Sequence, residues 1–328
     1  MSITSAQIFF NRLIISDAQV KLQLEDASIV DGQTAEYLAE AVHQSFTKKG
    51  QKDYCQFSEQ SAAAELLTQQ PSNSELAKAI FAAICQSVDL DAPPAESILV
   101  VACYQYLASN YVLAAVLGVK DSVQLSENIS AERSQYLDIA NIQLAVQIDL
   151  SEYNVNPDSE RAIAYIKGRV GRSVNDFMSD ALGIEPKMNA KDATQKLIQS
   201  VEAFIADGES NSEQAASVRE VTLDVMKQAS EVGDFVQVQA LSEEIEEKTG
   251  LAGFYEKAAE DEEFNETCPV YLTASKSLQK FFGQGGGMSL SFNRDMLGEY
   301  VHFDPIAKTL KFTKLPPNLL DALEKASK

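Results

Sequence analysis

The sequence of 328 residues has little of what membrane proteins and most enzymes need. No stretch approaches the roughly 20 apolar residues of a membrane-spanning helix, and the first twenty residues lack the apolar run of a signal peptide. There are only two histidines, His43 and His302, and no GxSxG, HExxH or phosphate-binding GxxxxGK[ST] pattern. We therefore predict a soluble, cytoplasmic protein that is not an enzyme, does not bind membranes and needs no cofactor or metal.

Cysteine is also scarce, with four residues that are widely spaced and form no CxxC pair: Cys55, Cys85, Cys103 and Cys268. This spacing favours buried, reduced thiols over a disulfide framework or a zinc site. His43 has no Asp, Cys or second His at ligand spacing, so we expect it at the surface or at the edge of a core.

Positive charge is the third shortage, because 27 Lys and Arg face 48 Asp and Glu for a formal net charge of −21. Two basic islands nevertheless stand among acidic blocks. Residues 161–196 hold seven basic against four acidic residues, and residues 267–328 hold eight against five. Residues 207–266, in contrast, hold four basic against 17 acidic residues. Net charge governs solubility and long-range steering, whereas local patches govern contact, so the islands are the candidate working surfaces.

The first part of the chain, residues 1–155, is predicted to be an α+β domain with helices and an antiparallel sheet. Apolar residues every four positions predict a helix over 34–49, and the capping-box spacing of Ser72 and Glu75 predicts a second helix. Apolar runs at 98–106 and 111–117, on either side of Ser109-Asn110, predict a buried hairpin. Strict alternation over 142–150 predicts a strand with one solvated face.

The remaining residues, 156–328, are predicted to form a mainly helical domain that begins with a helix at Asn156-Pro157. Helices are expected over 189–206, from the capping box of Ser210 and Glu213 to Gly233, and over 238–248. The glycines at 283–287 lack the Gly-Lys-Ser/Thr of a phosphate loop and predict a turn. A small antiparallel meander at about 287–313 and a short helix after Pro316-Pro317 complete the expected fold.

A basic stretch at Tyr165–Arg172 is the most unusual feature of the second part. If residues 157–182 form one helix, Ile163, Ile166, Val170, Val174 and Phe177 fall on one face. Arg161, Tyr165, Arg169 and Arg172 then fall within an arc of about 80° on the opposite face, with Lys167 at the flank. Arginine forks and a tyrosine hydroxyl suit phosphate oxygens, so this stripe is a candidate DNA contact.

Two glycines, Gly168 and Gly171, complicate the helix, because each costs about 1 kcal/mol relative to alanine. Close approach of a neighbouring helix, a dimer partner or DNA would offset that cost. Because the two glycines permit close contact between helices, a homodimer is one of the expectations. Alternatively, Gly168–Gly171 is a GxxG loop of the kind that clamps phosphates in KH modules. A third interpretation pairs the arginines with the protein's own carboxylates.

Several of these residues carry a resemblance to a known family. Asp149–Tyr153, Asn156-Pro157, Tyr165–Arg172 and Asp176–Met178 closely resemble bacterial nucleoid-associated proteins of the NdpA/YejK type. Further matches run along the chain at Phe57–Glu59, Tyr136–Ile139, Gly285–Gly287, Leu297–Glu299, Phe303–Pro305 and Pro316–Asn318. The resemblance implies a cytoplasmic, nucleoid-located protein that associates with DNA and has a type II topoisomerase as partner. It implies no catalytic residue. Ser173 departs from the family, where a lysine is common.

The leading hypothesis is a non-enzymatic nucleoid-associated protein that binds double-stranded DNA with weak sequence selectivity. The candidate DNA-binding residues are Arg161, Tyr165, Lys167, Arg169 and Arg172, together with Lys187 and Lys191, and such binding falls steeply with salt. The alternative is a protein-interaction module whose acidic surfaces bind a DNA-handling enzyme, so that nucleoid association is indirect.

Overall fold

The structure is a computed structural model that describes residues 3–16, 19–23, 29–87, 97–125, 131–142, 144–170, 173–175, 177–208, 210–261 and 264–327. The chain divides into two compact units. The first comprises Met1–Ala193, Ala229–Phe235 and Cys268–Tyr271, and the second comprises Thr194–Gln228, Val236–Thr267 and Leu272–Lys328. The first unit is therefore built from three separate stretches of the sequence.

A nine-stranded antiparallel sheet forms the centre of the first unit as far as the structure describes it. The strands of this unit are β1 (Ser5–Ser16), β2 (Gln19–Gln23), β3 (Ile29–Asp31), β4 (Asp53–Phe57), β5 (Ser97–Tyr106), β6 (Ser109–Leu117), β7 (Val119–Leu125), β8 (Ala131–Leu137), β9 (Leu144–Asp149), β10 (Ile163–Ile166), β11 (Gly168–Val170), β12 (Ser173–Asn175) and β13 (Ile184–Asn189). The sheet order is β13-β4-β10-β9-β6-β5-β1-β2, and β3 pairs with β1 beside this path. Strands β7 and β8 form one separate hairpin and β11 and β12 another.

Helices cover both faces of the sheet. They are α1 (Gly32–Thr47), α2 (Ala62–Thr68), α3 (Asn73–Ser87), α4 (Leu150–Val155) and α5 (Phe177–Leu182). On one face, Ile80 and Ile84 of α3 pack with Phe177 of α5 against the sheet. On the other face, Val42 and Phe46 of α1 form a second core cluster. This layered α+β unit agrees with the predicted fold class.

Several local predictions are confirmed in this unit. Helix α1 and the buried pair β5–β6 form as expected, and Glu75 and Ser72 cap α3 reciprocally: Ser72 N–H donates to Glu75 Oε2 at 2.8 Å and Glu75 N–H to Ser72 Oγ at 3.3 Å. The β5–β6 turn lies at residues 107–108, because Tyr106 already pairs with Ser109. The turn-rich residues 89–94, which the sequence predicts to separate α3 from β5, lie outside the described part of the chain.

Strand β9 differs from its prediction, because neither of its faces is fully solvated. It lies between β6 and β10, where helices cover the sheet on both sides. Leu144, Val146 and Ile148 face the α3 layer, and the fully buried Ala145 faces α1. Gln147, on the predicted wet face, is part-buried and donates its side-chain N–H to the hydroxyl of Tyr104 at 2.8 Å. Its polar group is satisfied inside the protein.

The predicted helix over 157–182 is wrong. Asn156 accepts a hydrogen bond from the Asp158 N–H at 3.2 Å within a turn, and the chain then enters β10, which pairs with both β4 and β9. Ile163 and Ile166 therefore lie in the sheet, where β-branched side chains pack well, and Gly168 and Gly171 weaken the competing helix. Residues 156–193, predicted to belong to the second domain, contribute β10 and β13 to the sheet of the first unit.

The second unit is mainly helical. Its elements are α6 (Ala190–Asp207), α7 (Ser212–Val232), β14 (Val236–Gln237), α8 (Val238–Thr249), α9 (Phe254–Ala258), β15 (Thr267–Cys268), α10 (Lys276–Gln279), β16 (Lys280–Gly285), β17 (Met288–Asn293), β18 (Val301–Asp304), β19 (Thr309–Phe312) and α11 (Pro317–Ala326), with the first residues of α6, the last of α7 and Cys268 in the first unit. The capping box of α7 is shifted by one residue, since Asn211 rather than Ser210 accepts from the backbone N–H at the third helical position, that of Gln214, at 2.8 Å.

The C-terminal antiparallel strands are confirmed, but they form two separate hairpins rather than one meander. Gly286 and Gly287 join β16 to β17 with φ angles of +57° and +78°, the pair of left-handed conformations that a tight hairpin turn requires. These glycines therefore serve a turn, as predicted. Helix α11 follows Pro316, also as predicted, and exposes Leu319, Leu320 and Leu323.

None of the four cysteines, all of which are described, forms a disulfide, and Cys55, Cys103 and Cys268 are buried and Cys85 partly so, in agreement with the sequence. Burial raises the pKa of the Cys103 thiol to about 12. Among the described helices, none has the length and apolar character needed to cross a membrane.

Candidate nucleic-acid interface

The basic segment, residues 161–196, runs through several short elements of the first unit and into α6. At its centre is the hairpin β11–β12, in which Arg169 pairs with Val174 and Gly168 with Asn175. The hairpin is a two-stranded sheet of its own, separate from the nine-stranded sheet. Arg169 therefore lies on a β-ribbon, not on the exposed face of a helix.

Tyr165 does not belong to any surface. Its side chain is only 1 % exposed and lies in the α3-side core with Phe177 and Met178. The sequence placed it beside the arginines because a helical period was assumed. In β10 successive side chains alternate between the two faces of the sheet, and helices cover both faces. Tyr165 is thus unable to contact DNA in this structure, and the prediction for this residue is wrong.

Arg161 is already occupied by the protein itself. Its guanidinium forms an ion pair with Asp234, and its Cζ lies 5.0 Å from the centre of the Phe235 ring. Phe235 in turn contacts Tyr54 edge-to-face, with ring centres 4.6 Å apart. Arg161 thus ties residues 234–235 to the sheet, which is the structural role that the third interpretation gave to the arginines.

Two lysines of the segment also have carboxylate neighbours. Lys167 Nζ lies 3.1 Å from Asp53 Oδ2, and Lys187 Nζ lies 3.8 Å from Glu160 Oε1 while donating to the carbonyl of Asp158 at 3.2 Å. Both lysine side chains keep about a third of their exposure (36 % and 33 %). Lys187 and Glu160 are both about one-third exposed, and an exposed pair of this kind contributes at most about 1 kcal/mol, so a phosphate can replace the carboxylate at little cost. Asp53 is only 13 % exposed, so this argument does not extend to its pair with Lys167.

Lys191 is exposed in the first turn of α6. Asn189 caps this helix, since its Oδ1 accepts from the backbone N–H groups of Lys191 and Asp192 at 2.9 and 3.2 Å. Gly171 and Arg172 lie outside the described residues, and for Arg169 and Gly168 only the backbone is described. The structure therefore leaves the DNA-binding role of Arg169 and Arg172, and the close packing at the two glycines, as predictions.

Sequence reasoning missed a second site on the α1 face of the sheet. There Lys52, His43 and Gln147 line a cavity. Two polar residues of β9 could have indicated this site. Gln147 and Asp149 stand in an otherwise apolar strand, as polar side chains do when they line a cavity inside the protein. No group of three or more His, Cys, Asp or Glu side chains suited to a metal ion occurs among the residues that the structure describes.

Comparison with known proteins decides the family. The sequence profile of the family described as nucleoid-associated protein YejK matches residues 11–320. The chain belongs to this YejK family. A nucleoid-associated protein of Photorhabdus laumondii is 32 % identical over 334 residues, which cover 100 % of this chain and 99 % of the relative. Relatives from Klebsiella pneumoniae and Escherichia coli O1:K1, both named as nucleoid-associated proteins, are each 33 % identical and cover 99 % of this chain and 98 % of their own length.

Membership of the YejK family confirms the resemblance seen in the sequence, and the match extends over both structural units. It supports association of this chain with the bacterial nucleoid. The names of the relatives say nothing about which residues make that contact.

Proposed function

We propose that this protein binds double-stranded DNA in the nucleoid of the bacterial cytoplasm without catalysing a reaction. Binding is weakly sequence-selective, because the contacts go to phosphates. The observation that carries the proposal is the hairpin β11–β12, a separate two-stranded ribbon at the centre of the basic segment in a nucleoid-associated family. A ribbon of this kind fits a DNA groove and can hold its arginines against the flanking phosphates.

The contacts assigned to DNA are Arg169 and Arg172, supported by Lys167, Lys187 and Lys191. The lysines lie before or after the hairpin in sequence, and each is at least one-third exposed. On binding, phosphates take the place of Asp53 beside Lys167 and of Glu160 beside Lys187. Arg161 is left out of the set because it is held by Asp234 and Phe235, and Tyr165 because it is buried.

The test is the salt dependence of binding to a duplex of mixed sequence, measured by fluorescence anisotropy between about 50 and 200 mM salt. Arg169→Ala with Arg172→Ala removes two phosphate contacts, so the slope of log K against log[salt] becomes shallower by about 1.8. A matched control, Lys280→Ala with Lys311→Ala, removes the same charge from exposed positions on the C-terminal hairpins. An unchanged slope in the arginine variant, or an equal change in the control, contradicts the assignment.

A second candidate function is a protein-interaction module that reaches the nucleoid through a type II topoisomerase. Two observations favour it. Residues 207–266 are strongly acidic, and Glu243, Glu246 and Glu247 of α8 are exposed. In addition, Arg161, Lys167 and Lys187 of the basic segment are engaged with carboxylates. This function would be established if the wild-type protein does not bind DNA but co-purifies with a type II topoisomerase. The co-purification should be lost in the double variant Glu243→Lys with Glu247→Lys.

The protein is further proposed to form a homodimer through the C-terminal part of the second unit. The large exposed apolar side chains there include Phe282, Phe303, Ile306 and the three leucines of α11. In the dimer this basic part of each copy faces the acidic residues 207–266 of the other copy, so the charges are complementary. Light scattering should show a dimer at micromolar concentration, and Leu319→Glu with Leu323→Glu should show a monomer. The control Val155→Glu changes an exposed apolar residue of the first unit.

A further inference from the structure

The first unit contains a cavity of about 410 Å³ on the face of the sheet that α1 covers. Helix α1 ends at Thr47, and residues 232–235 cover the sheet beside it. The space enclosed between them lies above Tyr54, Gln147 and Ala164. At the rim, Leu107 and Val232 are 60 % and 72 % exposed, so the cavity opens to solvent. Its volume falls within the range of about 300–1,000 Å³ found for small-molecule sites.

Lys52 is the reason to expect a ligand there. The residue is only 9 % exposed, donates to the Thr47 carbonyl at 3.1 Å and lies 4.9 Å from the centre of the Phe46 ring. Among the ion pairs between described residues, none gives Lys52 a carboxylate within 4.0 Å. A buried ammonium without a negative neighbour is unfavourable, and burial lowers the pKa of Lys52 to about 8. An anion in the cavity would supply the missing charge.

The middle of the cavity is aromatic and held in place by hydrogen bonds. Gln147 Nε2 donates to Tyr104 Oη at 2.8 Å and to His43 Nδ1 at 3.4 Å. Because an amide nitrogen can only donate, Nδ1 is an acceptor, and the Tyr104 hydroxyl donates to it at 2.9 Å. This network assigns the neutral tautomer of His43 with its proton on Nε2. The His43 ring lies 4.2 Å from the ring of Tyr106 and 5.8 Å from that of Tyr111, centre to centre. Fixed rings of this kind suit a flat ligand.

The opposite end of the cavity is acidic. Asp149 Oδ1 accepts from the Glu152 N–H at 2.9 Å, and Glu152 Oε1 accepts from Ser159 Oγ at 2.7 Å. Lys52 precedes Asp53, which pairs with Tyr165 of β10, and Tyr165 in turn pairs with Val146 of β9. Asp149 lies three residues further along β9, which corresponds to about 10 Å along the strand. The cavity therefore has a positive end at Lys52 and a negative end at Asp149.

From this arrangement we propose that the cavity binds a small aromatic anion. Its carboxylate or phosphate lies against Lys52, its ring packs beside His43 and Tyr106, and an N–H or O–H group at its far end donates toward Asp149. Among the described side chains of the basic segment, Arg161 is the one charged group that lines the cavity, and it is held by Asp234.

The experiment is isothermal titration calorimetry of the full chain with two probes, adenosine 5′-monophosphate and 4-aminobenzoate. 4-Aminobenzoate carries its carboxylate and its amino group on opposite sides of one ring, whereas adenosine 5′-monophosphate carries its phosphate on the ribose and its amino group on the adenine ring. The probe that binds distinguishes a phosphate from a carboxylate. Adenosine and aniline are their uncharged counterparts. At least one anion should bind at concentrations up to about 1 mM, and its uncharged counterpart should bind at least about tenfold more weakly.

Matched variants locate the binding. Lys52→Met should weaken binding of the anion at least about tenfold. Lys48→Met, at an exposed position, should leave the affinity within about twofold of the wild type. Should Lys52→Met fail to fold by circular dichroism, Tyr106→Ala replaces it and should weaken binding about tenfold, because it removes the ring beside His43. The proposal is overturned if neither anion binds the wild-type chain at about 1 mM, or if binding is the same after removal of Lys52 or Tyr106.

Discussion

Replacing Lys52 by methionine should change the stability of the protein in a way that depends on pH. Burial lowers the pKa of Lys52 from its ordinary value of 10.5 to about 8. Below about pH 8 the amine is protonated in both folded and unfolded chains, so the folded state carries the full cost of burying the charge, on the order of 3 kcal/mol. Methionine keeps most of the apolar stem and removes this cost.

Part of the gain is offset, because the variant loses the hydrogen bond to Thr47 and the contact with the Phe46 ring, together worth about 1–2 kcal/mol. We therefore expect Lys52→Met to be about 1–2 kcal/mol more stable than the wild type near pH 7. Between pH 8 and 10.5 the unfolded chain binds more protons than the folded one, so wild-type stability rises with pH. The advantage of the variant should shrink by about 2 kcal/mol between pH 7.5 and 9.5.

Urea unfolding followed by far-ultraviolet circular dichroism, at those two pH values, measures the effect. Other ionising groups are common to both proteins and cancel in the difference between wild type and variant. Lys48→Met is the control for the loss of one positive charge at an exposed position. If the difference between wild type and Lys52→Met is the same at both pH values, Lys52 is not a desolvated ammonium, and the reasoning about the cavity fails with it.

Three further predictions concern other residues. Burial, and then the nearby lysine charge, lower the pKa of His43 from 6.5 to about 4. Between pH 6.5 and 4 the unfolded chain therefore binds more protons than the folded one, and the free energy of unfolding falls by on the order of 3 kcal/mol as the pH drops. Urea titrations should show that this loss is reduced in His43→Gln and retained in His302→Gln. Gly183 and Gly250 both have positive φ, but a Cβ on Gly183 would lie 3.0 Å from a backbone carbon whereas one on Gly250 meets open space. Alanine at Gly250 should cost about 1 kcal/mol and at Gly183 distinctly more, and equal unfolding midpoints would contradict this. Tyr165→Phe should bind DNA within about twofold of the wild type in the anisotropy assay, and Tyr165→Ala should lose about 3–5 kcal/mol of stability.

The sequence predicted those elements whose signals are local. Helix α3 has a capping box, β5 and β6 are continuous apolar runs, and the Gly286-Gly287 turn needs two positive φ angles that glycine supplies. None of these depends on what the distant chain does. The α+β class and the C-terminal strands followed from such elements.

The largest failures depend on tertiary pairing. Ile163 and Ile166 fit one face of a helix as well as they fit a strand, and only β4, some 110 residues earlier, together with β9 decides between them. The same choice moved Tyr165 from a predicted surface stripe into the core. Gln147 was assigned to water because the strand alternates, yet the residues that cover it come from α1 and from residues 232–235. Periodicity in one segment contains no information about such distant partners.

The discontinuity of the first unit has a consequence for its synthesis on the ribosome. Phe235, which packs on Tyr54 and Arg161, emerges only after α7, and Tyr271, whose ring would meet a side chain placed at Gly50, emerges later still. Domains generally fold as units as they leave the ribosome. This one is complete only after residue 271 has been made, so we expect a chain that ends between 194 and 233 to leave Tyr54 and Arg161 without Phe235 and Asp234, and to be more open to proteolysis than the full chain.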